Sequence, residues 1–270
     1  MSKKPEPSSV RVRLATHAGS WYSHDEHELE DELSGWLDSA EDNDTQEKQP
    51  SIRAIIGPHA GFRYSGPTAA YAYHHLLDLD RIKRVFILGP SHHFYLRGCA
   101  VSTAHEYETP LGNITIDHEV NEKLVDSGKF ATMSMDVDED EHSIEMHLPF
   151  IYKVMNGRKF TAVPILVGNT KSKMDEGYGK ILAPYLENDE NLFVISSDFC
   201  HWGLGLHEIL DETNNTICGR HPISLLLHTI LASKKLKCTL KFVKYAQSSA
   251  CMRHGDSSVS YASAIVYSEP

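Results

Sequence analysis

The sequence predicts an α/β fold in which helices flank a mixed β-sheet core. Short apolar runs that are typical of buried strands alternate along the chain with segments of helical periodicity. No Gly/Ser-rich linker and no internal repeat interrupts this alternation, so we expect a single layered domain over residues 1–270. The polar stretch 1–12 is expected to be a disordered tail of that domain.

Each predicted strand is an apolar run bounded by turn residues, and each predicted helix repeats its apolar positions every three or four residues. Strands are predicted at 52–56, 84–88, 99–103, 113–117, 160–168, 191–196, 240–246 and 258–267. Helices are predicted at 25–37, 66–77, 117–127, 143–156, 173–187 and 222–233. The apolar face of the first helix consists of Leu29, Leu33, Trp36 and Leu37. Pro67 is expected in the first turn of the second helix, where proline is tolerated.

Composition and charge exclude several classes of function. The formal net charge is -11, from 37 acidic and 26 basic residues, which argues against nucleic-acid binding through a basic surface. No apolar run approaches the roughly 20 residues of a membrane span, and the N-terminus has no signal-peptide core. No P-loop, G-x-G-x-x-G or G-x-S-x-G occurs, so no nucleotide cofactor is expected. The five cysteines show no C-x-x-C spacing, which suits a reduced, cytoplasmic chain.

Metal-binding and acid/base side chains follow four of the predicted strands at the point where each strand ends. In chain order these residues are His59; His92 and His93; Asp198, Cys200 and His201; and Cys251. In open α/β sheets the functional crevice lies beyond the carboxyl ends of the strands. If the four strands run in compatible directions, their loops converge on one pocket.

This set of residue types predicts a metal site. Two neutral imidazoles with a carboxylate suit non-haem Fe(II), whereas a thiolate in the third position favours copper or zinc. Asp198 is either a fourth ligand or the acceptor that orients a ligating histidine. His201 is a candidate acid/base group beside the open position. For each histidine taken singly, a hydrogen-bonded structural role is the alternative.

The segment 'DEDEHSIEMHLPF' (138–150) contains a second group of histidines and acids. His142 and His147 are five residues apart and therefore lie about 140° apart on a helix, so they cannot chelate one ion from one face. We expect His142 or Glu145 to reach the rim of the pocket instead. His17, in 'THAGSWYS', precedes every predicted core strand and is expected to be structural or to line the pocket.

The stretch 'NNTICGRHPI' (214–223) places Cys218 and Arg220 ahead of an apolar helix. Arg220 is expected to form an ion pair, and anion binding near the start of the helix is the alternative.

Eight blocks, in this order along the chain, resemble the Memo family, which is named for mediating receptor-driven cell motility. They are 'HAGSWY', 'PHAGFRYSG', 'ILGPSHH', 'DEDEHSIEMHLPF', 'SSDFCHWG', 'NTICGRHPI', 'YAQSS' and 'DSSVSYAS'. The resemblance covers about residues 13–267. The family is similar in fold to the class III extradiol dioxygenases, which hold Fe(II) with two histidines and a carboxylate, and the same fold is expected here.

The resemblance implies a ligand set. His59 and His92 match the two histidine ligands, and Cys251 matches the third ligand. Asp198 matches an aspartate that lines the same pocket, and His201 matches the acid/base histidine of the dioxygenases. Because a cysteine replaces the carboxylate of those enzymes, ring-cleaving activity does not follow from the resemblance.

The chain departs from the family pattern in a second place. Only about ten residues separate 'HWG' (201–203) from 'NNTICG' (214–219), where the family has a longer and largely helical insert. His93 is the neighbour that the family ligand set passes over, and we expect it to line the pocket.

The resemblance also implies cellular roles that residue chemistry does not indicate. Memo relatives are cytoplasmic, with the nucleus as an alternative location, and act between a receptor tyrosine kinase and the cytoskeleton. The expected cofactor is iron or copper, with zinc as an alternative, and an oxidoreductase activity is one hypothesis. The expected partners are phosphotyrosine-containing receptor peptides or cytoskeletal signalling proteins, with no nucleic acid and no membrane insertion.

Overall fold

The computed structural model describes residues 10–40, 51–155, 157–199, 217–250 and 257–269, and the backbone of 201–202. Two residues predicted in the site, Cys200 and Cys251, lie outside the described residues. The short connection at 203–214 lies outside them as well.

The predicted α/β architecture with a mixed β-sheet core is confirmed. The strands are β1 (Val12–Arg13), β2 (Ser51–Gly57), β3 (Arg84–Pro90), β4 (Cys99–Val101), β5 (Glu106–Tyr107), β6 (Ile114–Thr115), β7 (Phe130–Thr132), β8 (Thr161–Val167), β9 (Asn191–Ser196), β10 (His201–Trp202), β11 (Cys238–Gln247) and β12 (Ser258–Ser268). The main sheet has the order β10-β12-β2-β9-β3-β8-β4-β7, and β11 pairs with β12. A smaller sheet has the order β1-β5-β6.

The centre of the main sheet is parallel. β2 pairs with β9, β9 with β3, and β3 with β8, all in the same direction. These four strands are buried along nearly their whole length, as expected for a parallel sheet covered on both faces. Because their carboxyl ends share one edge, the residues that follow β2, β3 and β9 are brought together there.

Eight helices are named among the described residues. They are α1 (Glu26–Ser39), α2 (Phe62–His74), α3 (His118–Asp126), α4 (Met135–Asp140), α5 (His142–Glu145), α6 (Leu148–Met155), α7 (Ser172–Glu187) and α8 (Arg220–Ala232). One face of the sheet packs against α1, α2 and α6. The other face packs against α3, α7 and α8. Adjacent strand residues such as Ile55 and Ile56 point into opposite cores, as the two-residue period requires.

Two helix predictions differ from the structure. The predicted helix 143–156 is two short helices, α5 and α6, and α4 precedes them. The chain is extended at Glu141, between α4 and α5, and this break turns the Glu141 side chain toward the sheet edge. In addition, α2 begins at Phe62, so Pro67 lies inside the helix rather than in its first turn. The chain enters α2 directly after the loop that carries His59.

Ordered structure begins before the predicted end of the N-terminal tail. Val12 pairs with Glu106 and Arg13 pairs with Tyr107, which makes β1 part of the smaller sheet. Strand β1 is only two residues long, too short for a periodicity to indicate it. In the described part of the chain, no helix is both long and apolar enough to cross a bilayer.

Candidate metal centre

Three neighbouring parallel strands deliver the predicted site residues to one edge of the main sheet. His59 follows β2, Asp198 follows β9 and His92 follows β3. Since β9 lies between β2 and β3, the two histidines come from strands that flank the aspartate. Their imidazole ring centroids are 5.1 Å apart. The expected convergence of these strand ends is therefore observed for His59 and His92.

The His59 ring is oriented by a hydroxyl group. The Oγ–H of Ser196 donates to the carbonyl oxygen of Ser143 at 2.8 Å, so Ser196 Oγ accepts the Nδ1–H of His59 at 2.6 Å. This arrangement leaves the lone pair of His59 on Nε2, which lies 3.1 Å from Cys218 Sγ. Asp198 Oδ1 accepts the backbone N–H of His59 at 2.9 Å and thereby fixes the loop.

The His92 ring is oriented by a carboxylate. Glu141 accepts the backbone N–H of His92 at 2.6 Å and its Nδ1–H at 2.8 Å. The same carboxylate accepts the backbone N–H of Ser143 at 2.8 Å. The other ring nitrogen of His92, Nε2, lies 2.8 Å from Cys218 Sγ. A carboxylate that holds the far nitrogen of an imidazole is a typical support for a metal-binding histidine.

The charges of His92 and Glu141 depend on each other. Burial disfavours both charged forms, but hydrogen bonds to Cys218 and Glu141 raise the pKa of His92 to about 10. Hydrogen bonds from His92 and its positive charge outweigh burial at Glu141 and lower the pKa of that carboxyl to about 2. In the metal-free protein at neutral pH the pair is therefore an imidazolium and a carboxylate. A metal ion that binds Nε2 of His92 must displace a proton.

A third histidine completes the group. The ring of His142 stacks on His92 at 4.4 Å and on Trp21 at 4.4 Å. Burial and the nearby charge of His92 lower the pKa of His142 to about 4, so this imidazole is neutral at physiological pH. His59, His92 and His142 each offer one nitrogen, and these atoms all lie within 4.8 Å of one another. Once His92 has lost its proton, these three imidazoles form a group of nitrogen donors that is suited to a transition-metal ion.

Glycine at two positions allows the elements around the centre to pack closely. A Cβ atom on Gly89, in β3, would meet Ser143 and Ile144, which carry Glu141 and His142 toward the sheet edge. A Cβ atom on Gly219 would collide with the end of β9. The turn before α8 therefore lies against that strand end, and it carries Cys218 to the two histidines.

Cys218 is the residue that reasoning from the sequence missed. It follows no predicted strand, so the pattern that identified His59 and His92 did not select it. The available signal was the Cys-Gly pair directly before the apolar helix α8, since a glycine at the start of a helix permits a close approach to a neighbouring strand.

The remaining predicted residues occupy different surroundings. His93 lies beside the centre, with its ring 5.8 Å from that of His142. Asp198 is buried, which raises its pKa to about 6 against the opposing effect of backbone N–H donors. His17 and Glu145 bind each other at 2.8 Å, and the ring of His17 is 5.9 Å from that of His142.

The possible acid/base residue, His201, is described by its backbone, which pairs with Val259 of β12. A cavity of about 700 Å³ lies against the centre. Its lining includes His92, His93, Cys218, Arg220 and His221. Arg220 donates from Nε to His221 at 3.3 Å. Its predicted ion pair is not found among the described residues.

Comparison with known proteins gives a consistent picture. The family model described as 'Memo-like protein' matches residues 13–206 and 204–265. The chain is 44% identical to 'Protein MEMO1' of Danio rerio over 289 positions, covering 93% of this chain and 95% of that protein. It is 42% identical to 'Protein MEMO1' of Homo sapiens, covering 94% and 96%, and 40% identical to 'Protein memo-1 homolog' of Caenorhabditis elegans, covering 96% and 83%.

Two details of these matches concern the short connection. The two matched segments of the family model overlap at residues 204–206, within the short connection. The 289 aligned positions also exceed the 270 residues of this chain, so the Danio rerio protein has residues with no counterpart here.

A solved structure, an uncharacterized protein JW3007 from Escherichia coli K12, is 12% identical with a TM-score of 0.46. It covers 78% of this chain and 98% of its own, and the likeness is too weak to carry an argument. The family model, in contrast, matches nearly the whole chain in the order of the eight sequence blocks. This protein belongs to the Memo-like family.

Proposed function

We propose that this protein binds a redox-active transition metal, iron or copper, through His59 and His92. The observation that carries the proposal is the pairing of each imidazole with a polar group that holds its Nδ1, Ser196 for His59 and Glu141 for His92. Both Nε2 atoms are thereby directed to the same point. This arrangement is typical of metal-binding histidines, and zinc is the alternative ion.

The third ligand in this proposal is Cys251. Strand β11 and strand β2 are both antiparallel to β12, so they run in the same direction. β11 ends at Gln247, four residues before Cys251, and its carboxyl end is therefore at the same edge of the sheet as His59. The direction of β11 supports the assignment that the family resemblance implies.

A bound redox metal would supply one-electron or oxygen chemistry at the cavity. The protein's own residues would hold the ion, exclude bulk water on the buried side and move protons. Glu141 is placed to take up the charge of a protonated His92, and His201 is the proposed acid/base group. On this basis an oxidoreductase function is proposed, with the substrate to be identified.

Metal analysis tests the proposal directly. The protein is purified without chelator, its metal content is measured, and the apo-protein is then titrated with Fe(II) and with Cu(I). We expect about one ion per chain in the wild type and loss of binding in His59→Ala and His92→Ala. His105→Ala is the matched control, because the His105 ring lies against His118 and is not part of the group formed by His59, His92 and His142. Unchanged binding in both site variants would refute the metal function.

A second candidate function is an adaptor role in cytoplasmic signalling from receptors to the cytoskeleton. The observation that favours it is the pair of cationic or hydrogen-bonding side chains in the cavity, Arg220 and His221, beside His92 and His93. Recognition of a phosphotyrosine depends on such groups. Titration with a phosphotyrosine peptide and its unphosphorylated form tests this role, and equal affinities would exclude it.

A further inference from the structure

We infer that Cys218 is a thiolate ligand of the centre in addition to the ligands proposed above, so that the donors facing a bound ion are imidazole nitrogens and thiolate sulfur. This inference rests on the proposed metal site and names a donor to it from the turn before α8. The ion it favours is one that accepts thiolate readily, copper or zinc, over one that needs carboxylate oxygens.

The first observation is the position of the sulfur atom. Cys218 Sγ lies 2.8 Å from Nε2 of His92 and 3.1 Å from Nε2 of His59. A tetrahedral ion with bonds of about 2.3 Å to sulfur and 2.0–2.1 Å to nitrogen separates two such ligands by about 3.5 Å. A shift of about half an ångström therefore admits an ion between the three atoms.

The second observation is an unsatisfied polar atom at the same place. His142 is only 9% exposed, and its Nδ1 makes no hydrogen bond among the described residues, although it lies 3.6 Å from Glu141 Oε1. The His142 ring stacks on His92, and one of its nitrogens lies within 4.8 Å of the ligand nitrogens of His59 and His92. Buried polar groups are nearly always hydrogen-bonded, so a buried imidazole that lacks a hydrogen bond at Nδ1 and lies next to two further imidazoles fits a site that takes an ion.

The third observation concerns the carboxylates near the centre. Both oxygens of Glu141 accept N–H groups, from the backbone and ring of His92 and from Ser143. Asp198 accepts the backbone N–H of His59. Glu141 and Asp198 therefore hold the loops of His92 and His59 through their backbone N–H groups. The atoms directed at the centre are therefore nitrogen and sulfur, unlike the two-histidine, one-carboxylate set typical of non-haem Fe(II).

The turn that carries Cys218 is held in place by packing. The backbone N–H of Gly219 donates to Ser197 Oγ at 3.2 Å, and the absence of a side chain lets this turn lie against the end of β9. Helix α8 then continues into the second core. When an ion binds, the proton on the Cys218 sulfur and the proton on Nε2 of His92 both leave to solvent as the sulfur–metal and nitrogen–metal bonds form.

Titration of the full-length apo-protein with Co²⁺ tests the inference, because a thiolate ligand gives a sulfur-to-cobalt charge-transfer band in the near ultraviolet. The variants are Cys218→Ser and Cys218→Ala, with Cys251→Ser to measure the share of the sulfur ligand named in the proposed function. Cys238→Ser is the matched control, since Cys238 is a free thiol at the start of β11. We expect wild type and Cys238→Ser to show the full band, and both Cys218 variants to lose about half of its intensity, because Cys251 still contributes a thiolate in the proposed site.

The outcomes are distinct. Loss of about half or more of the band in the Cys218 variants, with Co²⁺ still bound, supports the inference. A full band in both Cys218 variants that disappears in Cys251→Ser overturns it and leaves the proposed function intact. Binding of Co²⁺ by the wild type without any sulfur band also overturns it. If the wild type binds no Co²⁺, Zn²⁺ or Cu(I), both the inference and the proposed function fail.

Discussion

Segment 138–145 contributes to two polar clusters of opposite character. On one side Asp138 and Glu145 surround the guanidinium of Arg13. On the other side Glu141 and His142 face the strand ends with His92. The two clusters lie on the same short segment of backbone. The cluster around Arg13 is closed, because its polar groups bind one another, whereas the cluster around His92 is open to a further atom.

In the Arg13 cluster, each of the three guanidinium nitrogens donates a hydrogen bond. Arg13 is fully buried, and its nitrogens bind Asp138, Glu145 and the carbonyl oxygens of Leu14 and Glu141. A buried charge of this kind is stable only when its hydrogen bonds are made, and here they are. This cluster is structural: it ties β1 to the segment that carries the centre.

The histidine centre leaves donor atoms directed at a common point. His59 and His92 are each held from the far side, and their Nε2 atoms meet at Cys218. His142 adds a buried nitrogen without a partner among the described residues. The comparison shows that the number of polar groups does not identify a binding site, whereas imidazoles held from the far side with their Nε2 atoms at one point indicate one.

The largest expected effect comes from breaking the closed cluster. Arg13→Met leaves the buried carboxylates of Asp138 and Glu145 without their cation, and we expect a loss of about 3–5 kcal/mol in the free energy of unfolding. Urea denaturation of the apo-protein measures it. The exposed Arg11, two residues earlier, provides the control Arg11→Met, which should change the stability by less than about 0.5 kcal/mol. Equal effects of the two variants would contradict the assignment.

The next effect is on metal binding at the open cluster. Glu141→Gln removes the charge that holds Nδ1 of His92, and we expect metal affinity to fall about 10–100-fold. Competition with a chelator of known affinity measures the change. Asp140→Asn, at an exposed neighbouring position, should leave affinity unaltered. If Glu141→Gln binds metal as the wild type does, the carboxylate does not support the ligand.

The pH dependence of the stability of the apo-protein tests the charges of Glu141 and His92. Because the pKa of Glu141 is lowered to about 2, its stabilisation is present above about pH 4.5 and is lost as the pH falls toward 2. Because the pKa of His92 is raised to about 10, its stabilisation is complete below about pH 6.5 and is lost as the pH rises toward 10.

The difference in thermal midpoint between wild type and Glu141→Gln should therefore be largest between about pH 4.5 and 6.5 and decrease on both sides. Glu119→Gln, which removes a surface partner of Lys123, should show no such profile. A difference that is constant across the whole range would mean that the pair is not ionised.

The smallest effect is expected at the ring that covers His142. Trp21→Leu removes a stacked aromatic pair worth about 0.5–1.5 kcal/mol, so metal affinity should fall about two- to tenfold if the ring positions His142 for binding. The control Tyr64→Leu changes a partly exposed aromatic residue on α2. Loss of stability without loss of affinity in Trp21→Leu would show that the ring serves only packing.

Much of the fold could be predicted because the strands are strongly apolar and the helices are periodic. Strands β2, β3, β8 and β9 were found at nearly their observed bounds, and with them the positions of His59 and His92. The two-residue strands β1, β5 and β10 are too short for such a signal. The break at Glu141 also escaped prediction, since an acidic helix start and an extended residue look alike in sequence.

The sequence by itself determined the alternation of strands and helices, the family and the two histidines at strand ends, because these depend on local patterns. Only the tertiary structure decided that Glu141 holds His92, that His142 stacks beside it and that Cys218 meets both histidines. These relations depend on the close approach at Gly89 and Gly219, which joins segments distant in the chain. Local sequence does not encode which distant segment of backbone a glycine will contact. The packing of the whole fold determines that contact.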